Sequence, residues 1–295
     1  KTKKSTKNNI PISRDCTAEF YNLLPFEPTG AQKRAVADCI KDMQSEKAMN
    51  RLIQGDVGSG KTAVAAAVMH TVAKNGYQSA MMAPTEILAH QHYESLSKLF
   101  ESTGLTVELL TGSTKAKDKK EIKRRLIDGE IDIIVGTHAL IQNDVEFKSL
   151  GLVVTDEQHR FGVEQRANLA MKGDDPHLLV MSATPIPRTL ALIIYGDLSI
   201  SILNELPPGR QQIRTDVVNS GYHQRIYKFI KKAIANGHQA YIVCSLVEES
   251  ESELIPATEY AEGLKNNVFS DYRVGLLHGK MKPKDKDKIM DEFAR

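Results

Sequence analysis

The stretch from residue 51 to residue 75 constrains this chain more than any other. A short apolar run at 51–54 leads into Gly55-Asp56-Val57-Gly58-Ser59-Gly60-Lys61-Thr62, and a helix-forming segment over 61–75 follows. Glycines at 55, 58 and 60 let the backbone turn tightly, so that successive N–H groups and the positive end of the next helix face one point. A strand, GxxxxGK[ST] and a helix in that order form the pattern of a phosphate-binding loop. Gly55, Gly58, Ser59, Gly60, Lys61 and Thr62 are therefore the candidate nucleotide contacts, with Lys61 set to neutralise β/γ-phosphate charge and Thr62 to hold Mg²⁺. Hydrolysis also needs a carboxylate at the end of a neighbouring strand. Gly151-Leu152-Val153-Val154-Thr155-Asp156-Glu157 supplies a pair: Asp156 as a second Mg²⁺ ligand, Glu157 as the group that polarises water.

The rest of the chain alternates short apolar runs with amphipathic ones, the signature of a parallel α/β sheet. Strands are expected at 51–54, 79–83, 106–110, 131–136, 150–155 and 177–182, and helices at 30–46, 61–75, 87–101 and 115–128. Pro207-Pro208-Gly209 marks a linker. A shorter series follows it: strand 215–219, helix 222–236, strand 239–244, helix 252–266, strand 272–277, helix 282–295. Two or three more strands would give a sheet of ordinary size, so the second domain reads as incomplete. The division is 1–24 as a basic segment, 25–205 as the first domain and 206–295 as the second.

Composition mostly excludes. Net charge is only +2, so nucleic-acid contact must come from local clusters or backbone amides. Two basic clusters exist, at 1–14 and 115–125, and each reads first as a solvated face or frayed tail rather than a nucleic-acid contact. Cys16, Cys39 and Cys244 are odd in number and widely spaced, against a disulfide framework or a zinc site. His90-Gln91-His92 lacks further ligands and is assigned no site. No apolar run reaches the roughly 18 residues that span a bilayer. The expectation is a soluble, cytoplasmic protein with no membrane partner.

The remaining segments narrow the NTPase class. Ala83-Pro84-Thr85-Glu86, Thr111-Gly112, Gly136-Thr137-His138, Asp156-Glu157-Gln158-His159 and Ser182-Ala183-Thr184 resemble the ordered motifs of superfamily 2 helicases. Small residues and threonines at strand ends suit bonding to phosphates without reading bases. Pro25-Phe26, Thr29-Gly30-Ala31-Gln32, Gln54 to Thr62, Asp156 to Arg166, Ala183 to Leu190 and Leu206 to Gln211 resemble the RecG family of branched-DNA helicases, over about residues 22–295.

That resemblance implies an α/β fold of tandem RecA-like P-loop domains with mostly parallel sheets, the second incomplete, and an ATP- and Mg²⁺-dependent helicase or translocase acting on branched DNA. It assigns Gln32 to the adenine edge, against a surface glutamine as the alternative. It assigns Pro84, Thr85, Thr111, Gly112, Thr137, His138, His159, Arg160, Phe161, Ser182 and Thr184 to DNA contact or coupling, with Phe161 either stacking on a base or lying in the core. No small-molecule substrate beyond ATP is implied, and the parent protein is expected to be monomeric. The family's later motifs, with an arginine that reaches the γ-phosphate, are not in this sequence, so the chain is expected to bind ATP and turn it over poorly. The transcription-repair coupling translocase shares several of these motifs and is the rival enzyme. A non-hydrolysing nucleotide- or DNA-binding fragment is the rival from another class.

Overall fold

The computed structural model describes residues 10–156, 168–184, 198–205, 213–244, 257–278 and 281–294. The chain divides into two compact units, 1–211 and 212–295.

The first unit is built on one sheet. Strands β1 (Asn50–Gly55), β2 (Gln78–Met82), β3 (Val107–Leu110), β4 (Ile133–Gly136), β5 (Leu150–Thr155), β6 (His177–Ser182) and β7 (Ser199–Leu203) lie in the order β3-β4-β2-β5-β6-β1-β7. Every pairing is parallel. A parallel sheet is covered on both faces, so its central strands should be apolar throughout rather than alternating. The residues of β2, β4 and β5 are indeed all buried, whereas the edge strands β3 and β7 are partly exposed.

Among the described residues, helices α1 (Thr17–Tyr21), α2 (Gly30–Met43), α3 (Lys61–Lys74), α4 (Glu86–Phe100) and α5 (Ala116–Asp128) pack around it. Ala31, Ala35, Val36, Cys39, Ile40 and Met43 make the buried stripe of α2, at helical spacing. Thr29 starts that helix: its side chain accepts from Gln32 N–H while the Gln32 side chain accepts from Thr29 N–H, a reciprocal cap. Helix α3 is buried almost all round, from Val64 to Ala73, and belongs to the larger core with Phe20, Leu96 and Phe100. The opposite face of the sheet carries a second core of Ile122, Leu126, Leu140 and Val153.

Two buried polar groups tie the layers together. Arg51 on β1 donates to Asp42 of α2 (2.8 Å) and to Ser201 of β7 (2.7 Å). His177 accepts Met49 N–H at Nδ1 (3.0 Å), which places its proton on Nε2, facing Ile10 C=O at 2.7 Å. Burial lowers the His177 pKa from the ordinary 6.5. The neutral ring is therefore favoured in the fold, and its contribution to stability is complete above pH 6.5. It is lost as the pH falls and the unfolded imidazole takes a proton that the folded one refuses. Melting temperature is expected to fall below that pH, and His177→Gln, which keeps one donor and one acceptor, should weaken the dependence. The same slope in both proteins would refute this. Buried His70, lowered by the same cause, leaves a residual slope.

The six expected strands of the first unit all form, with ends shifted by at most a few residues, and β7 is an addition. In the second unit, helices span His223–Ala235, Ala257–Gly263 and Pro283–Ala294. The strands expected at 215–219, 239–244 and 272–277 form no ladder among the described residues, and Val217 and Val243 stand exposed. Strand propensity becomes a strand only through a paired neighbour, and these segments have none there. The helix expected at 252–266 is described only from Ala257. No described helix is long and apolar enough to cross a membrane.

Candidate functional site

Because every strand runs the same way, the loops that follow them emerge on one rim of the sheet. In the sheet order, the loops after β3, β4 and β2 carry Thr111-Gly112, Thr137-His138 and Pro84-Thr85. The next three positions, β5, β6 and β1, carry Asp156, Ser182-Ala183-Thr184 and Gly55 to Thr62. The rim is thus divided into a threonine half and a phosphate-loop half, which meet where β2 pairs with β5. Registers Gln54↔Ser182 and Thr155↔Val180 put Asp156 and the glycine loop on the same edge, two strands apart, roughly 10 Å at ordinary strand spacing.

The glycine loop has no room for side chains where it turns. Gly60 is the N-cap of α3 with φ 86°, and a Cβ there would lie 2.1 Å from Gln32 Nε2. A Cβ on Gly55 would lie 2.5 Å from Ser59 Oγ and 2.8 Å from Leu203 Cβ. Lys61 folds its ammonium onto the loop, donating to the carbonyls of Gly55 (2.8 Å) and Asp56 (2.9 Å). The Ser59 hydroxyl is buried with no hydrogen-bond partner among the described residues. Amides at a helix start, an ammonium, the Thr62 hydroxyl and the Asp156 carboxylate form a donor set that fits a triphosphate with a divalent cation.

Gln32 does something sequence did not foresee. Its Oε1 accepts from Thr29 N–H (3.0 Å), its Nε2 donates to the Ser59 carbonyl (2.9 Å), and the residue is 3% exposed. One amide thus closes the start of α2 and clamps the phosphate loop. An adenine contact would have to share it.

Asp156 is buried and its Oδ2 lies 2.7 Å from His92 Nε2, on α4. His92 received no site from the sequence, and no signal there could pair it with a carboxylate 64 positions away. The two residues do not amount to a metal cluster, and no group of three or more potential ligands occurs among the described residues. A cavity of about 450 Å³ is lined by His92, Thr62, Gly60, Phe26 and Leu96 among others. It brings the start of α3 and the middle of α4 to one space.

On the threonine half, Thr85 caps α4 by accepting Leu88 N–H (3.3 Å). The next residue, Glu86, accepts Ser113 N–H (3.0 Å), while Lys119 donates to Gly112 C=O (2.8 Å). Thr111 is bonded to Ser113 and Thr114. The Thr137 hydroxyl is buried without a partner among the described residues, and His138 is exposed. On the other half, Ser182 and Thr184 bond to each other (hydroxyls 3.0 Å apart). Glu157, His159, Arg160 and Phe161 lie outside the described residues. Of the basic cluster at 115–125, Lys123, Arg124 and Arg125 are paired with acids: Asp144, Glu121 with Asp128, and Glu108 respectively. The C-terminal part of that cluster is thus a self-compensated, solvated face.

Comparison with known proteins places the chain in a family. The DEAD/DEAH box helicase family matches residues 29–193. An ATP-dependent DNA helicase RecG of Bacillus subtilis is 51% identical over 284 residues, 96% of this chain and 42% of that protein. RecG of Aquifex aeolicus is 49% identical over 99% of this chain and 37% of that protein. This chain therefore spans about two fifths of the length of those relatives. A solved structure of RecG bound to a three-way DNA junction matches with TM-score 0.78 and 45% identity over 97% of this chain and 37% of that one. Dbp5 of S. cerevisiae bound to RNA and ADP BeF3 matches at TM-score 0.65 with 18% identity, which speaks to fold alone. With the family match extending over more than half of its residues, the chain belongs to the DEAD/DEAH box helicases.

Proposed function

We propose that this chain is the motor part of a RecG-type helicase, which uses ATP and Mg²⁺ to remodel branched DNA. The observation that carries the reading is the divided rim, with a phosphate loop and a buried carboxylate beside a contiguous set of threonine-bearing loops. Near-50% identity to proteins named RecG, and the likeness to one bound to a three-way junction, support branched DNA over transcription-coupled translocation.

In this reading the ammonium of Lys61 leaves the Gly55 and Asp56 carbonyls for β/γ-phosphate oxygens, while the amides of 58–60 hold the rest of the triphosphate. Thr62 and Asp156 would hold the magnesium ion, which supplies charge neutralisation when bound. Glu157 orients water for attack on the γ-phosphorus. Thr85, Thr111, Gly112, Thr137 and His138 lie along one DNA backbone track, bonding phosphates with hydroxyls and amides. His159, Arg160, Phe161, Ser182 and Thr184 are assigned to DNA contact or to coupling it to the nucleotide.

The test is ATP turnover by the full-length protein without DNA, with linear duplex and with a three-way junction. The junction is expected to stimulate most. Equal rates in all three conditions would overturn the reading.

A further inference from the structure

We infer that His92 is a positioning residue for Asp156, holding the carboxylate in the orientation that binds the divalent cation. The inference rests on the ATP-site reading above. Asp156 directly follows β5, the first strand of the phosphate half, whereas His92 sits two turns into α4, the helix that leaves β2 on the threonine half. Their 2.7 Å contact thus crosses the seam between the halves. Both side chains are almost enclosed, at 11% and 12% exposure. A ring nitrogen held against one carboxylate oxygen fixes the rotation of the whole group. Polar partners behind a metal-binding carboxylate commonly act this way.

Two further observations point the same way. His92 lines one cavity with Thr62 and Gly60, so the residue behind Asp156 faces the same space as the other candidate cation ligand. At its first turn, α4 is fastened to the 111–114 loop through Glu86 and Ser113. The helix that sets Asp156 is therefore itself fixed by the loops proposed to meet DNA. A histidine that only filled core would need neither the polar contact nor the cavity.

The test is equilibrium binding of a fluorescent ADP to this chain, titrated with Mg²⁺ and repeated in EDTA. His92→Asn keeps a polar side chain too short to reach Asp156, while His92→Gln places an amide nitrogen close to where Nε2 lies. His92→Asn is expected to raise the Mg²⁺ needed for half-maximal binding by about 10-fold or more, with EDTA binding unchanged. His92→Gln should restore wild-type behaviour. Three outcomes would overturn the inference: an unmoved Mg²⁺ titration in His92→Asn, an equal loss in EDTA, or failure of Gln alongside Asn. Lys61→Ala in the same assay separates the levels. If it leaves ADP affinity intact, the nucleotide site itself is misassigned; if it weakens affinity while His92→Asn does nothing, only the role of His92 falls.

Discussion

Lys61→Ala is expected to lower ATP turnover by about 10²–10³, the usual consequence of removing one preorganised electrostatic group from a developing charge, and to weaken nucleotide affinity with it. The fold should survive. Lys61 is only partly buried, and the Gly55 and Asp56 carbonyls to which it donates belong to its own loop, where water can satisfy them. The strain in that loop resides in Gly60 and in the close approach of Gln32, neither of which the substitution touches. Steady-state turnover and ADP titration would check it. An alanine variant that binds nucleotide as tightly as wild type would remove the phosphate site from the account.

Phe100→Ala should give the largest loss of stability, about 3–5 kcal/mol for deleting a fully enclosed aromatic ring. Phe100 is 1% exposed at the end of α4. It lies 6.2 Å from the Phe20 ring and stacks at 6.0 Å on His70, so it joins α1, α3 and α4. The His70 ring has an Nδ1 that is buried and without a partner among the described residues. Emptying the space beside it leaves a polar ring against a void that cannot collapse without moving α1. For a unit of this size the melting temperature should drop by roughly 10 °C, visible by calorimetry, while ADP affinity well below the transition stays near wild type. A loss under about 1 kcal/mol would mean that the site closes around the gap, at the low end of what core truncations cost.

Most of the first unit was legible from the residues alone. The phosphate loop, the apolar run ending at Asp156 and the breakers between them leave little choice of fold, because a parallel sheet demands continuous apolar strands and crossover helices. What escaped is equally physical. Strand β7, Ser199-Ile200-Ser201-Ile202-Leu203, is a half-polar edge with Ile202 60% exposed, and reads as a strand only once β1 lies beside it. The second unit shows the converse: its 215–219, 239–244 and 272–277 segments have strand composition but no ladder among the described residues.

In the site, residue types predicted chemistry but not contacts. Gln32 has an amide suited to an adenine edge, yet that amide is equally suited to the cap and carbonyl it meets. His92 could not be linked to Asp156 by spacing, since the bond depends on α4 returning over a strand that comes much later in the chain.

The uniform strand direction has one more consequence. All the reactive loops gather on one rim, and the reverse turns at Gly76 and Gly104, with open space around both, fall on the other. Extra length could be accommodated at those turns without reaching the phosphate cradle.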